Sequence, residues 1–198
     1  MSGRPVERKG GVVRMVRPVG KVCLAPFFRV RTQGLEHLPD SSAFVLLVKH
    51  QRWEDIPLLG FSVSRPLYYV AKAELFRVAP VRWFLTSLGG IPLNRARPLE
   101  SRRSLRSIIE HLHGGEGVVI FPEGTYYRDR MGPPREGLVR MVLTKAAPAF
   151  VPVGVRYHKG LRTGVDIRFG PPYFPKPREK AGAFLEVLMA EIARLSGL

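Results

Sequence analysis

A histidine and an aspartate five positions apart, His50 and Asp55, lie in the stretch Lys49-His50-Gln51-Arg52-Trp53-Glu54-Asp55, directly after an apolar run over 43–48. An imidazole oriented by a carboxylate is the base half of a site that activates a nucleophile. On one continuous helix this spacing would point the two side chains about 140° apart, since each residue turns the helix by about 100°. Across a strand-to-helix turn they can face each other. The flanking residues predict such a turn. The run over 43–48 reads as a buried strand, and Pro57 suits a helix's first turn, so a helix begins near Asp55 with Asp55 as its N-cap.

Three further segments fall where strands should end. Gly89-Gly90-Ile91-Pro92-Leu93-Asn94-Arg95 leads through an apolar step to an arginine, and Phe121-Pro122-Glu123-Gly124-Thr125 follows an apolar run directly. Val151-Pro152-Val153-Gly154-Val155 carries a proline inside a strand-like run, which suits a sheet edge or an irregular strand end. Singly, each reads as structure: a tight turn at Gly89-Gly90, a strand exit at Pro122 and Gly124, a solvated charge at Arg95.

The elements that must position these residues follow from periodicity. Short apolar runs predict strands over 30–34, 44–48, 67–71, 90–93, 118–121, 150–155 and 165–169. Helices are predicted over 56–64, over a region from Ala73 to about Leu88 interrupted at Pro80, and over 101–113, 138–147 and 181–195. The helix over 101–113 shows Leu105, Ile108, Ile109 and Leu112 at helical spacing and stops at Gly114-Gly115. Strands alternating with helices predict an α/β single-domain sandwich, with a central mixed sheet covered by helices on both faces and its site in the loops at strand ends.

The organisation expected is an N-terminal basic amphipathic segment over 1–30 and the main domain over 31–198. Residues 1–11 carry no periodic pattern and read as disordered. Residues 12–30 mix Val, Met, Leu and Phe with Arg14, Arg17, Lys21 and Arg29, and read equally as a broken amphipathic helix on a membrane surface or as a helix packed on the domain's own core. No stretch in the first 30 residues reads as a secretory signal or approaches the roughly 20 apolar residues of a spanning helix.

Composition narrows the partners. The chain has 198 residues, and 32 Lys and Arg against 16 Asp and Glu give a net charge of +16. Such a balance draws anionic partners by long-range attraction: lipid headgroups, phosphorylated substrates, an acidic carrier protein or nucleic acid. The basic residues are dispersed and no nucleic-acid motif is present, which disfavours specific nucleic-acid binding. A single cysteine, Cys23, excludes an intramolecular disulfide framework and any multi-cysteine zinc site, and reads as a small hydrophobe.

Taken in order, the four segments resemble the glycerolipid acyltransferase family typified by 1-acylglycerol-3-phosphate acyltransferases, over about residues 29–173. His50 and Asp55 match its His-x4-Asp motif, and Arg95 the arginine that ends its second motif. Residues 121–125 match the Phe-Pro-Glu-Gly-Thr motif, and 151–155 the fourth, proline-containing one. The resemblance implies that His50 is a general base oriented by Asp55, taking the proton from an acceptor hydroxyl that attacks an acyl thioester. The donor would be acyl-coenzyme A or acyl carrier protein, with no metal, no cofactor and no covalent acyl-enzyme. It implies further that Arg95 grips the acceptor phosphate, that Glu123, Gly124 and Thr125 shape the acceptor site, and that Pro152 contributes to the acyl and acceptor pocket. A lysophospholipid acceptor, an anionic membrane surface and a peripheral location on the inner face of the cell membrane follow as expectations.

Two departures stand out. The family commonly has Asn before the histidine, where this chain has Lys49. After Glu-Gly-Thr it commonly has an arginine, where this chain has Tyr126-Tyr127, leaving Arg128, Arg130 or Arg135 to contact a phosphate. A different lipid acceptor is the alternative reading, and a non-catalytic basic module binding membranes or nucleic acid is a third.

Overall fold

The computed structural model describes residues 6–94, 98–176 and 178–198, with 98–100 described by backbone alone. Its seven strands are β1 (Phe28–Gln33), β2 (Phe44–Val48), β3 (Leu67–Lys72), β4 (Gly90–Leu93), β5 (Gly117–Ile120), β6 (Ala149–His158) and β7 (Thr163–Phe169). They form one sheet in the order β1-β7-β6-β2-β5-β3-β4. All neighbours are parallel except β6 and β7, so β1 and β7 run against the other five strands. The sheet is mixed, as expected.

The helices are α1 (Gly10–Leu24), α2 (Asp55–Ser62), α3 (Ala79–Ser87), α4 (Pro98–His113), α5 (Glu136–Lys145) and α6 (Ala181–Ser196). Every residue of β2 is fully buried, which requires cover on both sides. Side chains alternate along the strand, so Val45 and Leu47 enter a core built with α4, α5 and α6. Phe44, Leu46 and Val48 enter a second core with α2, against which Leu24 of α1 packs. The α6 stripe of Phe184, Leu185, Leu188 and Ile192 is buried as its spacing predicts.

Four expectations need correction. Residues 6–9, expected to be disordered, are tied down: the Val6 amide donates to Ser107 Oγ at 3.0 Å, and Arg8 pairs with Glu116 at 2.9 Å. Their lack of pattern reflects an extended strap held by polar contacts to distant residues. Pro80 does not interrupt a helix. It occupies the first turn of α3, where its missing N–H costs nothing, after a separate short 3-10 turn at Ala73–Phe76.

α1 is not broken: it runs through Pro18, which sits on the exposed side. There water can serve the Arg14 carbonyl that loses its partner. Pro152, expected at an edge or irregular end, lies in β6 between β7 and β2. The proline is tolerated because β6–β7 pairing begins only at Val153. Its neighbour's carbonyl, Val153 O, accepts from Lys49 N of β2's end, so residue 152 faces the other side, where its own carbonyl accepts from Gly170 N just past the end of β7.

Of the two open readings of α1, packing on the domain's own core is seen on one side of the helix. Its inner side packs on α2 so closely that a Cβ at Gly20 would lie 2.2 Å from the Phe61 ring, and Arg17 donates to the Val63 and Ser64 carbonyls. Its outer side leaves Met15, Val19 and Val22 exposed at i, i+4 and i+7, with Cys23 beside them.

Candidate active site

β2, β3, β4, β5 and β6 all end on one edge of the sheet, and His50 stands there just past β2. Three hydrogen bonds of main-chain groups fix its backbone neighbourhood: Lys49 N to Val153 O at 3.0 Å, Tyr127 N to His50 O at 3.0 Å, and His50 N to the side-chain Oε2 of Glu123 at 3.2 Å. The ring stacks on Phe121, with centroids 3.9 Å apart and planes tilted by 23°, and meets the Tyr126 ring edge-on at 4.4 Å. Only 8% of His50 is exposed.

His50 Nδ1 lies 2.9 Å from Asp55 Oδ2. The same oxygen accepts from Gln51 N at 2.6 Å and Arg52 N at 2.8 Å, while Oδ1 accepts from the Tyr157 hydroxyl at 2.6 Å. Asp55 is therefore not an N-cap. It is the first residue of α2, and its buried carboxylate turns back to hold the loop before it, because that loop presents three donors converging on one oxygen. With Nδ1–H donated to Asp55, the lone pair is on Nε2, which makes no hydrogen bond among the described residues. A nearly buried imidazole with an oriented tautomer and a free Nε2 can accept a proton from a substrate hydroxyl.

Behind the histidine, Lys49 and Glu123 form a fully buried ion pair. Lys49 Nζ lies 2.8 Å from both carboxylate oxygens and donates to the Tyr127 carbonyl at 2.7 Å. Glu123 also accepts from His50 N and from Gly132 N at 2.5 Å. Its carboxylate takes four hydrogen bonds from three protein donors, and so it braces the loop over 121–132. Gly124, at φ 72°, makes the left-handed turn that lets this loop double back, with its N–H donated to Phe121 O. Gln51 ties the loop from the other side, donating to Val155 O and accepting from Asp129 N.

Thr125 is half-buried within this loop, and Arg128 is exposed on it. Arg135 is exposed at the loop's end, where its N–H donates to Pro122 O. It borders a cavity of about 330 Å³ between α4 and α5, walled by Val70, Leu93, Leu105, Ile120 and Met141. Phe121, which stacks on His50, also lines this cavity, whereas His50 itself does not. Pro152 is not brought to this group: it is buried against Gly170, and alternation along β6 puts its ring on the face opposite Tyr157. Arg95 lies outside the described residues, next in the chain to Asn94, which lines the cavity.

A scan against protein-family models matches the acyltransferase model over residues 29–156. The chain belongs to the acyltransferase family. Among its relatives is the chloroplastic 1-acyl-sn-glycerol-3-phosphate acyltransferase BAT2 of Brassica napus, 33% identical over 67% of this chain and 38% of that protein. Another is the lyso-ornithine lipid O-acyltransferase of Pseudomonas aeruginosa, 30% identical over 71% of this chain and 52% of that protein. This family member thus spans well under two thirds of the length of either relative. The crystal structure of the 1-acyl-sn-glycerophosphate acyltransferase PlsC from Thermotoga maritima superposes with a TM-score of 0.72 at 24% identity, covering 94% of this chain and 80% of that one. The two share a fold.

Sequence reasoning missed Lys49, Gln51 and Tyr157 as parts of the site. A signal for Lys49 existed: a lysine directly after a wholly buried strand needs a buried partner, and Glu123 stands just past another buried strand. No local signal pointed to Tyr157, 102 positions from Asp55.

Proposed function

We propose that this acyltransferase moves an acyl group from a thioester, acyl-coenzyme A or acyl carrier protein, to the free hydroxyl of a lysophospholipid, in the first instance 1-acylglycerol-3-phosphate. The observation that carries the reading is the free Nε2 of an Asp55-oriented His50 whose ring stacks on Phe121, a residue that also lines an apolar cavity with Arg135 at its edge. Nε2 takes the hydroxyl proton as the oxygen attacks the thioester carbonyl. The new C–O bond forms, the C–S bond breaks, and the departing thiolate takes the proton back from the imidazolium. His50 is regenerated and phosphatidic acid leaves.

Arg135 offers a guanidinium fork to the acceptor phosphate, and the exposed Arg128 adds positive potential at the mouth. A second acceptor is favoured by one observation. Tyr126 and Tyr127 occupy the place of an arginine, and the relative from P. aeruginosa is named for a lyso-ornithine lipid. The deciding experiment offers a panel of lysolipids with each donor and identifies products by mass. Phosphatidic acid as the main product supports the leading acceptor, an acylated ornithine lipid supports the second, and no product from any pair overturns the reading.

A lysophospholipid acceptor resides in a membrane, and the reading extends to work at a membrane surface. No helix of the described residues is long and apolar enough to cross a membrane. The exposed stripe Met15, Val19 and Val22 of α1, with Val78, Val81 and Trp83 on and beside α3, supplies an apolar face, and Arg14, Lys21, Arg77 and Arg82 supply charge for anionic headgroups on the inner leaflet. Val19→Asp with Val22→Asp is expected to lower flotation with anionic vesicles by about tenfold, equivalent to about 1.4 kcal/mol. Unchanged flotation would remove α1 from the contact.

A further inference from the structure

We infer that Tyr157 is a positioning residue of this site, acting on His50 through Asp55. The inference rests on the general-base reading above and concerns the carboxylate that orients the base.

The two oxygens of Asp55 are held differently. Oδ2 takes all the donors from its own segment: His50 Nδ1 and the Gln51 and Arg52 amides. Oδ1 takes one donor, the Tyr157 hydroxyl at 2.6 Å, from a strand 102 positions away. The terminal torsion of an aspartate is broad and roughly two-fold, so bonds to one oxygen leave the carboxylate plane loosely set. A short bond to the second oxygen fixes it, and with it the direction from which Nδ1 is held.

Tyr157 can reach because β6 outruns β2. Val153 pairs with Val48, the last residue of β2, and Tyr157 lies four residues further on, over the turn that leads into α2. Its ring packs against the core on the α2 side, and the Arg52 guanidinium covers it at 4.4 Å from the centroid. Burial, and then the Asp55 charge, raise the phenol's pKa far above its ordinary range. The hydroxyl therefore stays protonated and donates at every pH at which the enzyme works.

The charged and titratable groups around the pair are Arg52 and Glu54 in the turn, Lys49 and Glu123 behind the His50 backbone, Tyr126 on the outer side and Tyr157 from β6. Of these, Tyr157 alone donates a side-chain hydrogen bond to the carboxylate. That bond draws on the negative charge facing the imidazole. Without it, the imidazolium is held more strongly and the neutral base is recovered only at higher pH.

The test is Tyr157→Phe, which removes one oxygen and keeps the ring. Rates are measured from about pH 5 to 9 with the best donor and acceptor from the panel. We expect kcat to fall by about 3–30-fold at neutral pH with both KM values within about twofold, and the acid limb of the profile to move to higher pH. In an Asp55→Asn background the same change should have little further effect, because the carboxylate it acts on is gone. A loss equal at all pH values, or one that multiplies with Asp55→Asn, would reduce Tyr157 to a packing residue and overturn the inference, as would an unchanged kcat. Should the native protein transfer no acyl group, the acyltransferase reading fails separately. The inference is then decided by the proton resonance of His50 Nδ1–H, which moves downfield in Tyr157→Phe if Tyr157 shares the carboxylate and stays in place if it does not.

Discussion

Replacing His50 by Ala or Gln is expected to lower acyl transfer by about 10²–10⁴-fold, the contribution typical of a positioned general base. The alcohol is a poor nucleophile until a base relieves it of its proton, and His50 joins a free basic nitrogen to an orientation fixed by a buried carboxylate at the strand ends. KM for both substrates should change little, because Nε2 acts mainly in the transition state. Gln is the more informative change. It preserves much of the volume stacked between Phe121 and Tyr126, so its melting temperature should stay close to that of the native protein while activity is lost. Steady-state rates beside a thermal melt provide the check. A Gln variant retaining full activity would end the general-base mechanism.

Lys49→Met is expected to cost the fold about 3–5 kcal/mol, the usual consequence of removing one partner of a buried ion pair. Glu123 would remain with no exposed surface, its charge answered only by the His50 and Gly132 amides. For a chain of this size, about 2–4 °C per kcal/mol makes the expected fall in Tm roughly 6–20 °C. Lys49→Met with Glu123→Gln removes both charges and keeps an acceptor oxygen for those amides. It should recover at least about 1 kcal/mol of the loss, measured by denaturant unfolding. Additive losses in the double variant would show that the two residues act independently.

The pair also explains why a departure from the family pattern is tolerated beside the base. Lys49 stands where the family commonly has Asn. In the fold its ammonium bonds Glu123 and the Tyr127 carbonyl, and so ties down the loop whose Phe121 and Tyr126 flank the His50 ring. Tyr126, whose pKa is raised by burial and then by the nearby Asp55, meets the His50 ring edge-on.

Much of this was legible in the chain. The strand at Phe44–Val48, the helix that starts at Asp55 and the turn between them followed from an apolar run and a proline, and they bring His50 and Asp55 together as that geometry allows. The loop at Phe121–Thr125 was placed at a strand end for the same reason. The roles within it were not legible. Glu123 was expected to shape the acceptor site, and how it holds the loop there, as a buried partner of Lys49 74 positions away, was not visible. Pro152 was expected at the acyl and acceptor pocket and instead packs near Gly170 and Leu195, because alternation along β6 turns it to the face opposite Tyr157. The outer stripe of α1 was visible as amphipathic character, but only its packing on Phe61 shows which side stays open.

By itself the sequence determined the elements, their order, and the His50–Asp55 pairing across one short turn, because hydrophobic periodicity and turn chemistry act over a few residues. Only the tertiary structure decided what supports that pair: Lys49 with Glu123, Gln51 with Val155, and Tyr157 on Asp55. Those contacts depend on the strand order that sets β5 and β6 on either side of β2 and lets β6 run past its end, and no local pattern encodes which strands become neighbours.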